Sequence, residues 1–135
     1  MSDQARRKIA VINDDPAFLQ LVNDVLEAEG RYDVYRFQEE ETSLAELRAL
    51  SPDLIIIDIL LAELPSGWEL ALLAGADQQL GPVPIVVSSP DVPGLGRRVD
   101  ELREIANVRL LPKPFTLDEL RAIVHETLAS SPADE

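Results

Sequence analysis

The stretch Pro52-Asp53-Leu54-Ile55-Ile56-Ile57-Asp58 decides the fold. Leu54 to Ile57 is continuously apolar and rich in β-branched side chains, as a strand buried on both faces of a parallel sheet must be. Asp58 closes the run, so the central strand delivers a carboxylate to its carboxyl end. Alone, such an Asp is a polar stop to a buried strand. Its neighbours at the other strand ends decide whether it is more.

On both sides the chain alternates. Ile9 to Ile12 predicts a first strand, and Asp15-Pro16 behind it supplies a helix cap and a proline for the first helical position. That helix sets Phe18, Val22 and Val25 on one face and stops at Gly30. Val34 to Phe37, interrupted by Arg36, predicts an edge strand, and Ser43 with Glu46 forms a capping box for Leu44, Leu47 and Leu50. Gly67 to Leu80 reads as the third helix and Ile85 to Val87 as the fourth strand. The Pro- and Gly-rich loop Ser88 to Gly96 then delays a short or mobile helix until Val99, Leu102 and Ala106 align. Val108 to Leu111 is the fifth strand, and Thr116 with Glu119 caps a last helix whose Leu117, Leu120, Val124 and Leu128 face inward. Strict alternation of five strands and five helices implies an α/β chain. Its expected architecture is a flavodoxin-like, doubly wound parallel sheet of order 2-1-3-4-5.

Composition agrees and narrows function. The 135 residues, 46% hydrophobic and 4% aromatic, suit a single domain over 1-135 with its core at about 8-129 and short polar tails. A net charge of −13 repels phosphate backbones and anionic lipid, so neither nucleic acid nor membrane is an expected partner, and Arg97-Arg98 is too small a basic patch to reverse this. The absence of Cys excludes a disulfide framework, a Cys-based zinc site and a thiol nucleophile. Without a signal-peptide core or a spanning run, the expected location is cytoplasmic.

A sheet of this order gathers its ligand beyond the carboxyl ends of strands one and three. Asn13-Asp14-Asp15 follows the first and Asp58 ends the third, while strands four and five add Ser88, Ser89 and Lys113. Clustered carboxylates raise one another's pKa unless a cation shares the site, and their oxygens suit Mg²⁺. Acids, an alcohol and an ammonium group fit phosphoryl transfer, with Asp58 as nucleophile and Asp15 spent on helix capping.

Asn13-Asp14-Asp15-Pro16, Pro52 to Asp58, Ser88-Ser89 and Lys113-Pro114-Phe115 together resemble a response-regulator receiver domain of two-component signalling, over nearly the whole chain. The resemblance implies that Asp58 accepts a phosphoryl group from a sensor histidine kinase or phosphotransfer protein. It implies Mg²⁺ held by Asp14, Asp58 and the Leu60 carbonyl, with Asn13 a weak contact through water. Lys113 would pair with the phosphoryl group, and Ser89 or Ser88 would be the switch alcohol: spacing from Pro84 selects Ser89, spacing from Asp58 selects Ser88. Output would be a population shift at the fourth helix and fifth strand, read by a downstream protein or through a homodimer on the fourth-helix, fifth-strand and fifth-helix face. No enzymatic activity is implied beyond transfer to, and hydrolysis from, the chain's own aspartate.

Several positions depart from that pattern. Asn13 stands where receivers usually carry a second carboxylate; for a dication about 5 Å away, the missing charge should weaken binding by roughly 1 to 2 kcal/mol after water screening. The loop Ile59 to Ser66 is one residue longer than usual before Gly67, Ala62 replaces a common proline, and Leu110 replaces the usual Tyr or Phe. Pro112 further constrains the Lys113 loop. The chain stops just after the fifth helix, which predicts a single-domain phosphoprotein signalling by protein contact. The departures support a second reading, a phosphorylation-independent pseudo-receiver that only binds. A flavodoxin-like cofactor binder is disfavoured because no Gly-rich loop follows strand one. His125 is expected at the surface and Trp68 in packing.

Overall fold

The computed structural model describes residues 6–13, 15–37, 44–58, 66–90, 95–104, 107–113 and 115–129. Its elements in chain order are β1 (Arg7–Ile12), α1 (Pro16–Glu27), β2 (Tyr32–Phe37), α2 (Leu44–Leu50), β3 (Leu54–Asp58), α3 (Ser66–Ala76), β4 (Ile85–Pro90), α4 (Leu95–Arg103), β5 (Val108–Lys113) and α5 (Leu117–Ala129). The strands pair in parallel in the order β2-β1-β3-β4-β5, the order that the alternation of elements predicts.

Leu54 to Ile57 are all buried because β3 has helices over both faces. Ile55 and Ile57 pack with Ile85 and Val87 against Leu47 of α2, Ala71 and Ala74 of α3, and Val99 and Leu102 of α4. Leu54 and Ile56 pack with Ile9, Val11, Val86 and Leu111 against Val22 and Leu26 of α1 and Leu120 and Val124 of α5. Each of these Val, Leu and Ile side chains contributes about 1.5–3 kcal/mol by leaving water, so the apolar run organises two cores at once.

The register of β1 on β3 is pinned at its start by Asp53. Its backbone N–H donates to the Lys8 carbonyl at 2.7 Å and its Oδ2 accepts from the Lys8 N–H at 2.8 Å. Ile9 thereby pairs with Leu54 and Ile12 with Ile57. In parallel strands, a one-residue slip would turn the apolar side chains to the wrong layers.

Several expectations shift at element ends. β4 runs on through Ser88, Ser89 and Pro90, so the expected loop starts later, and α4 begins at Leu95 before Gly96. α3 stops at Ala76 rather than Leu80, since the Asp77 carboxylate accepts from the N–H groups of Gln79 and Leu80, both at 3.0 Å, and turns the chain. Leu117 is exposed, because α5 turns Leu120, Val124 and Leu128 inward and leaves its first residue at the rim. The Thr116–Glu119 capping box forms reciprocally, at 3.0 and 2.7 Å, and His125 is exposed. Gly30 takes the left-handed conformation (φ 76°) expected after α1. Ser43, Ala62 and Ala106 lie outside the described residues.

At the opposite end from the strand termini, the Arg48 guanidinium on α2 binds Asp77 through both Nε, at 2.8 Å, and Nη2. Gln79 Nε2 donates to the Arg48 carbonyl at 2.8 Å, capping the end of α2, where Ser51 adopts positive φ (54°). The guanidinium, and then the Leu80 N–H, hold the Asp77 carboxyl below the usual carboxylate range. A lowered native pKa contributes stability above the unfolded value of about 3.9, lost as pH falls through the native one. Asp77→Asn should therefore melt at a lower temperature than wild type at pH 7, and the gap should close below about pH 4; thermal unfolding followed by circular dichroism across pH checks this.

Candidate functional site

The carboxyl edge of the sheet is built by register. Ile12 pairs with Ile57, so Asn13, the next residue of the β1 chain, comes level with Asp58. Asp58 pairs with Ser88, and Ser88 with Leu111. Paired residues of parallel strands share a face, so positions 13, 58, 88 and 111 form one row across the sheet. Leu111 packs in the layer under α1 and α5, as does Val86 two residues before Ser88. Lys113 lies one step beyond, paired with Pro90 and on the face of Leu111.

Asn13 is 2% exposed and held by two hydrogen bonds. Its N–H donates to the Phe37 carbonyl at 3.1 Å, its Oδ1 accepts from the Asp15 N–H at 2.8 Å, and Asp15 Oδ1 accepts from the Ala17 N–H at 3.0 Å to start α1. Asp15 is thus a helix cap, as its place before Pro16 predicts. The α1 start in turn carries Phe18, whose ring lies edge-on to Phe115 with centroids 6.1 Å apart. Lys113 Nζ sits 5.5 Å from the Phe18 centroid, so its ammonium is drawn to the α1 side of the site.

Of the residues expected at the site, the described structure brings together Asn13, the backbone of Asp58, Ser88 and Lys113. Ser89 is placed by its backbone, one residue beyond the row and paired with Pro112. Asp14, Leu60 and Pro114 lie outside the described residues. Ser88 is completely buried, and its hydroxyl has no hydrogen-bond partner among the described residues. Sequence reasoning missed two contributors. Phe18 was assigned only to packing, although an aromatic two residues after a capping proline, opposite the Phe of a Lys-Pro-Phe segment, is a signal that could have been used. Asp53 was read only as part of an apolar strand's lead-in, although it fixes which residues share the row.

Comparison with known proteins identifies the family of the fold. Residues 9–125 match the response regulator receiver domain family. The DNA-binding response regulator MtrA of Mycolicibacterium smegmatis is 28% identical over 130 residues, covering 93% of this chain and 52% of that protein. The chain spans about half the length of the curated relatives it matches. The chemotaxis protein CheY4 of Vibrio cholerae superposes with a TM-score of 0.75 at 23% identity, over 91% of this chain and 99% of that one. The receiver domain of sensor histidine kinase PA1611 from Pseudomonas aeruginosa, whose active-site cleft coordinates magnesium, superposes at 0.73 with 21% identity, over 93% and 100%. At these identities the structures attest the fold, and none of the described helices is long and apolar enough to cross a membrane. Family match, strand order and the row at the carboxyl edge agree: this chain belongs to the response regulator receiver domain family of two-component systems.

Proposed function

We propose that this receiver accepts a phosphoryl group on Asp58 from a phosphohistidine of a histidine kinase or phosphotransfer protein, and passes the signal on by protein contact. The observation that carries the reading is the register that sets Asn13, Asp58 and Ser88 in one row at the switch point, with Lys113 just beyond. A carboxylate oxygen of Asp58 attacks phosphorus in line, the P–N bond to the donor imidazole breaks, and its electron pair stays on the ring nitrogen, which is reprotonated from water. Water later cleaves the acyl phosphate, returning the carboxylate and inorganic phosphate.

Charge neutralisation supplies most of such catalysis. Lys113 leaves the Phe18 ring for the phosphoryl oxygens, a stronger attraction than the ring's, and Ser89, which spacing from Pro84 selects, donates its hydroxyl to another. The donor set on offer is all oxygen, from Asn13, Asp14, Asp58 and the Leu60 carbonyl, which fits a hard dication such as Mg²⁺. When bound, Mg²⁺ would supply charge neutralisation for phosphoryl transfer. Asn13 gives this site an uncharged, buried oxygen already accepting from the Asp15 N–H. That single feature also supports the second reading, a receiver that binds partners without being phosphorylated.

Intact-mass analysis after incubation with acetyl phosphate and Mg²⁺ separates the two. The first reading predicts one base-labile phosphoryl adduct, absent in Asp58→Ala; an unmodified wild type would favour the second. Asn13→Asp should tighten Mg²⁺ roughly 5- to 30-fold by restoring a charge, as measured by calorimetry, and should lower the melting temperature in chelator, where its buried carboxylate lacks a counter-ion.

A further inference from the structure

Successive positions of a strand belong to opposite faces, so Ser88 shares its face of β4 with Val86. Ser88 continues the face of Val86 and Leu111, under α1 and α5, the layer that also holds Phe18, over which Lys113 sits. It is wholly buried, in register with Asp58, and its hydroxyl lacks a hydrogen-bond partner among the described residues. An unsatisfied buried O–H is costly, and native interiors keep few of them. Alanine would fill nearly the same space at no such cost, so the hydroxyl calls for a partner that arrives.

We propose that Ser88 is a second alcohol of the phosphoryl site, whose O–H finds its acceptor on the acyl phosphate of Asp58. This rests on the reading of Asp58 as phosphoacceptor. A strand spacing of about 4.8 Å separates the two positions, and phosphorylation adds three acceptor oxygens at that strand end. The hydroxyl then makes a bond in the phosphorylated state that it lacks in the resting one. Such a differential interaction is what a two-state switch requires, since a group that interacts equally with both states shifts nothing. Ser88 thereby stabilises the phosphorylated form from inside the sheet. A receiver whose fifth strand carries Leu110 instead of a hydroxyl-bearing aromatic gains a bias of its own from β4.

The probe is beryllofluoride with Mg²⁺, a phosphoryl mimic that needs no kinase, titrated into the full chain by calorimetry. Ser88→Ala should bind it roughly ten- to a hundredfold more weakly than wild type, the worth of one hydrogen bond to a charged acceptor, and its phosphoaspartate should hydrolyse faster. Without ligand, Ser88→Ala should melt at the same temperature as wild type or higher, because an orphaned donor is gone; a merely structural serine would instead lose stability. Equal affinity in Ser88→Ala and wild type, or a loss of affinity matched by a fall in melting temperature, overturns the proposal. An Asp58-dependent response of wild type with an unaltered Ser88→Ala would sink this inference alone, whereas a wild type that ignores beryllofluoride would sink the phosphoacceptor reading with it.

Discussion

Everything at the carboxyl edge depends on the register of β1 against β3. Two hydrogen bonds between Asp53 and Lys8 fix it at the amino-terminal end of the pair, five residues from where it matters. Because neighbouring strands are rigidly parallel, that anchoring is transmitted along the ladder, and Asn13 arrives level with Asp58 instead of one pleat away. β4 joins through Ile55 and Ile85, which brings Ser88 into the same row. The apolar layers on both faces make the arrangement hard to alter, since slipping one strand would send isoleucines to the wrong core. A site assembled this way is pre-organised by the core itself, which suits chemistry that relies on positioning and charge.

The substitutions around that row shape what kind of receiver this is. Asn13 makes the local hydrogen bonds that start α1 without bringing a charge to the carboxyl edge. Leu110 packs among the residues under α3 and α4 with no polar end to exchange between core and surface. On the proposed reading, the polar groups that would meet a phosphoryl group are on β4 and on Lys113, whose ammonium rests against Phe18. Phe18 and Phe115 couple the start of α1 to the chain just after β5, so the two sides of the cleft are in contact through aromatic rings.

Much of this was legible in the sequence because the deciding signals are periodic or positional. Uniform burial of β3 follows from an unbroken apolar run, and the cap of α1 from Asp15-Pro16. The strand order followed from alternation and chain chirality. What was not legible involves tertiary partners. β4 extends through Ser88 and Ser89 because β5 pairs with it there, although serines and proline read locally as loop. α3 ends early because the Asp77 carboxylate takes the N–H groups of Gln79 and Leu80, while Arg48, 29 residues away, holds that carboxylate from the other side. Leu117 sits on the expected helical face but at a rim where no element covers it. At the site, composition supplied the acids, the alcohols and the lysine, while the buried, partnerless state of Ser88 depended on packing.

The central claim is that the register of this sheet makes position 58, among 25 acidic residues, the phosphoacceptor. The direct measurement is to phosphorylate the chain with acetyl phosphate and Mg²⁺, reduce the acyl phosphate with borohydride, and sequence the peptides by mass spectrometry for homoserine. The account predicts homoserine at position 58 alone. Homoserine at another aspartate, or at none, would contradict it.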